Sequence, residues 1–244
     1  SLHDALPILI IVDTGSTDDT VEKLKKKPGV SLFEWSPDGI FRFDEARNYS
    51  MQLAYDLTDC NIFFTTDFDE FLDPGWYDAL VKNWAPDIHT RASYDDYFMD
   101  SSLPGSRNWI HDRTWKWKFP CHEIMMHNYD DDWHYHVSQC LDLKNGGIVM
   151  RHYPDYTKSR KQYLNLLRIR YSENPDDVMS LAYLLREFMY AGLDEEARTY
   201  TDKVYSLEEY TNEASWCCIC LAWAYEVIGN MHKSQALLYR AYTL

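Results

Sequence analysis

Three short apolar runs, each followed by acidic residues and separated by helical segments, constrain this sequence more than any other feature. Leu9 to Val12 is apolar and rich in β-branched residues, and it runs into Asp13, the pattern of a buried strand leading to a loop. Ser16 or Thr17 is placed to cap a helix through Lys27, with Asp18 and Asp19 favouring its positive end and Pro28-Gly29 stopping it. Val30 to Glu34 predicts a second strand. Asp44 to Leu57 puts Ala46, Tyr49, Leu53, Ala54 and Leu57 on one helical face, and Asn61 to Thr66 predicts a third strand ending in Asp67-Phe68-Asp69-Glu70. This alternation predicts an α/β fold, a mostly parallel sheet flanked by helices. Ligands in such sheets sit beyond the carboxyl ends of the strands, where Asp13 and Asp67 both fall.

From Ile88 to Val149 the sequence turns irregular, aromatic and Asp-rich, with short strands predicted at Thr114 to Phe119 and Gly147 to Arg151. After Pro154 it becomes a series of amphipathic helices, starting with Thr157 to Ser172 and interrupted at Asn174-Pro175. Gly192 followed by Ala197 recurs as Gly229 followed by Ser234, and Phe188 recurs as Tyr225. This offset of about 37 residues is close to the 34-residue tetratricopeptide period, with small residues where paired helices touch. Residues 9–154 are therefore read as one domain and 155–244 as a helical, repeat-like region. Ser1 to Ile8 (SLHDALPI) back-translates into the end of a common sequencing adapter and is read as non-native. On that reading the native chain opens upstream of Leu9, and Leu244 also stops within a helical pattern.

With 24 Lys and Arg against 39 Asp and Glu, the net charge of -15 argues against a general affinity for nucleic acid or anionic membrane. Phosphate-bearing ligands would then need a metal. No apolar run is long enough to span a bilayer, although peripheral membrane association stays open. The six cysteines lack metal-knuckle spacing and read as reduced thiols in a cytoplasmic protein.

Taken alone, Asp67-x-Asp69 is most often a solvated turn. At the mouth of an apolar strand, however, two carboxylates two residues apart can hold a hard divalent ion that keeps positions open for diphosphate oxygens. In VDTGSTDDT, Gly15 permits a tight turn, and Asp13 is placed to accept hydrogen bonds from a base or ribose. In order, VDTGSTDDT, FRFDEARNYSMQLA (Phe41 to Ala54) and FFTTDFDEFLDPGW (Phe63 to Trp76) resemble family 2 glycosyltransferases of the GT-A fold. WKWKFPCHE (Trp115 to Glu123), GGIVMRHY (Gly146 to Tyr153) and the helical tail are similar to a branch that carries C-terminal tetratricopeptide repeats.

That resemblance implies inverting transfer from a nucleoside diphosphate sugar, usually a uridine one, to the hydroxyl of a glycan, lipid or protein acceptor. It implies Mn or Mg at Asp67 and Asp69, with Glu70 beside the ligands and Asp13, Arg47 and Asn48 lining the donor site. The family's usual opening strand and helix are absent here. That strand normally lies between the Leu9 and Asn61 strands. Either His122 or His152 could complete the metal shell, and His152 is preferred. Glu123 is the expected catalytic base. The competing reading pairs Glu123 with a nearby Arg or Lys that orders its loop, and makes Asp112 or Asp100 the base.

His111, His127, His134 and His136 receive no role. Trp109, Trp115, Trp117 and Trp133 fall where aromatic faces could stack on a sugar, but ordinary packing is the better reading of each. Asp130, Asp131 and Asp132 read as a solvated loop. The helical region is expected to recognise the acceptor or a protein partner. The rival functions are a non-catalytic tetratricopeptide-like binding protein and a Mg-dependent phosphohydrolase or nucleotidyltransferase.

Overall fold

The computed structural model describes residues 7–99, 101–127, 139–145, 147–155, 161–200, 203 and 215–243. It is a mixed α/β protein with eight helices among the described residues, and it divides into an N-terminal unit, Ser1–Lys158, and a C-terminal unit, Ser159–Leu244. The division falls between residues 158 and 159, where the sequence suggests 154 and 155. No described helix is long and apolar enough to cross a membrane.

The N-terminal unit opens with β1 (Leu9–Asp13), α1 (Thr20–Lys25) and β2 (Val30–Glu34), and β1 and β2 pair in parallel. The helix starts later than expected because Asp13, rather than Ser16 or Thr17, organises the turn before it. The Asp13 carboxylate accepts the N–H groups of Gly15 and Ser16. α2 (Phe43–Leu57) follows. Next come β3 (Phe63–Phe64), β4 (Glu70–Leu72), α3 (Trp76–Asn83), β5 (Arg91–Phe98) and β6 (Gly105–His111). The unit finishes with β7 (Trp115–Lys118), β8 (Ile124–His127), β9 (Cys140–Asp142) and β10 (Val149–His152).

The expected mostly parallel sheet is not what forms. The main sheet has the order β3-β6-β5-β10-β4, with β9 beside the first half of β5. The β5 pairings with β9 and β10 are parallel, while β3 with β6, β5 with β6 and β10 with β4 are antiparallel. For β5 and β6 the cause is connection length. The link from β5 to β6 is too short for a crossover helix and makes a hairpin instead. Among the described residues β1 pairs only with β2 and β3 only with β6, so Asp13 and Asp67 follow strands of two different sheets.

Two apolar clusters hold this unit together. Ala92, Tyr94, Ile110, Ile148 and Met150 are fully buried in the first, with Leu80 of α3 and Trp84 just after it against them. The second joins Met51 of α2 to Trp115, Trp117 and Met125 of the β7–β8 hairpin. At 25 cal/mol per Å², burying an indole of about 200 Å² contributes up to about 5 kcal/mol, so these two tryptophans fix the hairpin on α2.

His111 is also fully buried, stacked on Phe63, with its Nδ1 2.7 Å from the Asp112 carbonyl oxygen. Burial pushes its pKa down to about 4, and the bond to the Asp112 carbonyl opposes this only in part. Below about pH 6.5 the unfolded chain therefore takes up a proton that the folded chain refuses, so stability is lost as pH falls towards 4. The expected loss across that window is roughly 2–4 kcal/mol. Urea unfolding at pH 7 and pH 4.5 measures it, and His111→Phe should flatten the difference. An equal loss in that variant would place the acid sensitivity elsewhere.

The C-terminal unit contains α4 (Lys161–Glu173), α5 (Val178–Ala191), α6 (Asp194–Arg198), α7 (Ser215–Val227) and α8 (Met231–Thr243). Asp177 caps α5 by accepting the N–H groups of Met179 and Ser180. The suspected repeat has a structural counterpart. Gly192 and Gly229 both take left-handed φ values, 64° and 84°, that disfavour any residue with a Cβ. After them, Leu193 N–H reaches the Phe188 carbonyl and Asn230 N–H reaches the Tyr225 carbonyl, the same closing bond in both turns. Ala197 and Ser234 are buried where the returning helices pack. Cys218 and Cys220 are buried in α7 and form no disulfide.

Candidate functional site

The loop between β3 and β4 is shaped by a carboxylate turned back on its own backbone. Glu70 Oε2 accepts the Asp67 N–H at 2.8 Å and the Thr66 hydroxyl at 2.9 Å. The Glu70 side chain is fully buried, and Arg107 of β6 bonds its other oxygen. With Glu70 drawn inward, Asp67 and Asp69 are left on the outside of the loop, 44% and 30% exposed at their side chains.

Arg47 of α2 joins this loop to the β7–β8 turn. Its Nη2 donates to Asp67 Oδ2 at 2.8 Å and its Nε to Glu123 Oε1 at 2.7 Å. The guanidinium carbon lies 4.6 Å from the Trp109 ring centre and 4.9 Å from that of Trp117, so two indole faces flank the cation. Burial opposes the charge, but Asp67 and Glu123 outweigh it and hold the Arg47 pKa above its ordinary value. The turn that presents Glu123 is strained, because Phe119 and His122 adopt φ of 82° and 48°. Such outliers persist where the surroundings enforce them.

Arg107 is a second hub. Besides Glu70 it bonds Asp96 Oδ2 at 2.8 Å, lies 4.1 Å from the Trp109 ring centre on its own strand, and reaches His152 Nδ1 at 3.5 Å. A register shift in the β5–β6 pairing, where Ala92 to Tyr94 spans Ile110 to Arg107, re-aims this part of β6. His152 sits opposite Glu70 in the β10–β4 pairing, which brings its Nε2 to 3.7 Å from Asp69 Oδ2. Arginine can only donate, so in this contact Nδ1 of His152 is the acceptor and Nε2 is the nitrogen turned to Asp69. His152, expected as a metal ligand, thus lies beside Asp69, the carboxylate with which it would share the ion.

Asp67, Asp69, Arg47, Glu123 and His152 thus belong to one connected cluster. Asp13 stands outside it among the described residues. Hydrogen bonds from Ser16 lower its pKa, against a small opposing burial effect, with the Gly15 N–H adding to them. Asn48, expected to line the donor site, follows Arg47 on α2. Its amide makes a two-way clasp with the Trp117 backbone, N–H to Oδ1 and Nδ2 to O, each at 2.8 Å. It borders a surface cleft of about 220 Å³ with Met51, Gln52, Tyr55, Trp115 and Lys116. Asp112 accepts the Thr114 N–H at 2.8 Å, ordering the turn into β7. Asp100, Asp130, Asp131, Asp132, Trp133, His134 and His136 lie outside the described residues. Arg107 and Asp96 were missed by sequence reasoning, since nothing in their spacing links them to residues so distant along the chain.

A divalent ion fits the outer carboxylates in part. Asp67 Oδ1 and Asp69 Oδ1 have no protein partner among the described residues, and both are hard oxygen donors on an exposed loop. No three His, Cys, Asp or Glu side chains converge there among the described residues, so water and phosphate oxygens would supply the remaining positions. No protein-family model matches this chain, and no curated protein matches it.

Proposed function

We propose that the N-terminal unit is the catalytic part of an inverting glycosyltransferase that uses a nucleoside diphosphate sugar, a uridine one in the first instance, and a divalent metal. The observation that carries this reading is the single guanidinium joining Asp67, in the exposed acidic loop, to Glu123 in the opposing turn. It supplies two kinds of carboxylate, side by side, for two jobs. Asp67 and Asp69 would hold Mn or Mg, which offsets the charge of the donor diphosphate when bound.

Glu123 keeps its second oxygen, Oε2, without a partner among the described residues, and that oxygen takes the proton of the acceptor hydroxyl. The acceptor oxygen forms its bond to the anomeric carbon as the bond from that carbon to the diphosphate oxygen breaks, and the electron pair leaves with the diphosphate. Asp13, held ionised by its turn, would contact the base or ribose. The C-terminal unit would recognise the acceptor or a protein partner.

Calorimetry with Mn and uridine diphosphate sugars tests this. Binding is expected with metal and lost on chelation, and Asp67→Asn or Asp69→Asn should weaken it by about tenfold or more. Metal-independent binding, or unchanged affinity in both variants, would remove the metal from the site. Product formed equally fast with and without an acceptor would favour a hydrolase.

A further inference from the structure

We infer that Arg47 is a latch that couples metal binding to donor binding: it occupies Asp67 until the diphosphate of a nucleotide brings charge of the opposite sign. This rests on the proposed function. Asp67 Oδ2 carries the guanidinium at 2.8 Å, so any divalent ion taken by that carboxylate would lie within a few ångströms of a second cation. Like charges at such a distance in a partly buried site repel strongly.

Which partner gives way follows from the packing. The Arg47 side chain is 12% exposed, flanked by Trp109 and Trp117, and tied to Glu123, whose own side chain is 10% exposed. Asp67 is 44% exposed and bonded by Arg47 alone at its carboxylate. Asp67 therefore rotates away while Arg47 stays. The vacated Nη2 is then a buried donor with a full charge and no acceptor, a costly state that a phosphate oxygen relieves with a charge-assisted bond. Metal alone should bind weakly, and metal and nucleotide should each strengthen the other by the same factor.

The test measures Mn binding by electron paramagnetic resonance on the whole chain, first with the metal alone and then with uridine diphosphate. Arg47→Gln is expected to bind Mn alone at least about tenfold tighter than the parent, and uridine diphosphate should no longer tighten it. Arg47→Lys keeps the cation and should stay weak for Mn alone. Because Arg47→Gln leaves Glu123 buried without a counter-ion, the neutral pair Arg47→Gln with Glu123→Gln serves if the single variant does not fold. Mn affinity that is unchanged or lower in a folded variant, or absent from parent and variants alike, overturns the latch. Tighter Mn binding without any response to nucleotide in the parent would keep the competition at Asp67 but sink the coupling and the glycosyltransferase reading with it.

Discussion

Arg107→Leu should destabilise the N-terminal unit by about 3–5 kcal/mol, the usual cost of breaking a buried ion pair from one side. The magnitude follows from what is left behind. Glu70 is fully buried at its side chain and Asp96 is 14% exposed, and Arg107 is the cation bonded to both. Leucine offers no donor to either. Glu70 would keep the Asp67 N–H and the Thr66 hydroxyl, which lessens the penalty without removing a charge in the core. Urea unfolding followed by near-ultraviolet dichroism measures the loss. Adding Glu70→Gln to Arg107→Leu should recover part of it, because the double variant removes one of the two carboxylate charges left without their cation, while Asp96 keeps the other. A loss under about 1 kcal/mol would mean that water reaches Glu70 and that the hub contributes little.

The second large effect is kinetic. On the proposed glycosyltransferase reading, Glu123→Gln should lower the rate of sugar transfer by about a hundredfold or more, while donor and metal affinity stay close to parental values. Glutamine preserves the shape of the turn and still offers an oxygen to Arg47 Nε. The free Oε2 becomes a poor base or an amide nitrogen. A carboxylate that only orders its turn would show a different pattern, a modest fall in stability with transfer preserved. Transfer at the parental rate in a folded variant would remove Glu123 from the chemistry. Asp112 is a weak replacement, because its carboxylate already orders the turn into β7 through Thr114.

The parts of this protein that were legible in its sequence are those whose reasons are local. Val30–Glu34 forms the strand its apolar residues suggest, and α2 covers the predicted helix with one residue added at its start. Asp67, Asp69 and His152 were marked by their positions at strand ends. What was hidden depends on distant partners. β5 and β6 escaped notice because Arg91, Asp95 and Asp96 break the apolar alternation of β5. Asp95 accepts the Asn145 N–H and Asp96 pairs through Oδ2 with Arg107, neither of them adjacent in sequence. The role of Arg47 was hidden in the same way, since its two carboxylates lie 20 and 76 residues away. The expected parallel sheet failed for a related reason: alternation in the first third of a chain does not dictate how later strands are connected.

The matching turns at Gly192 and Gly229 bear on how the C-terminal unit can change over evolutionary time. Each helix pair reverses through a glycine whose geometry is closed by its own backbone, so the reversal does not depend on which side chains the neighbouring pair presents. A gene duplication that copied one such pair would carry its turn with it and deliver a ready-made stacking surface, as in other arrays whose members contact only their neighbours. Reach and curvature of the unit can then vary by whole steps.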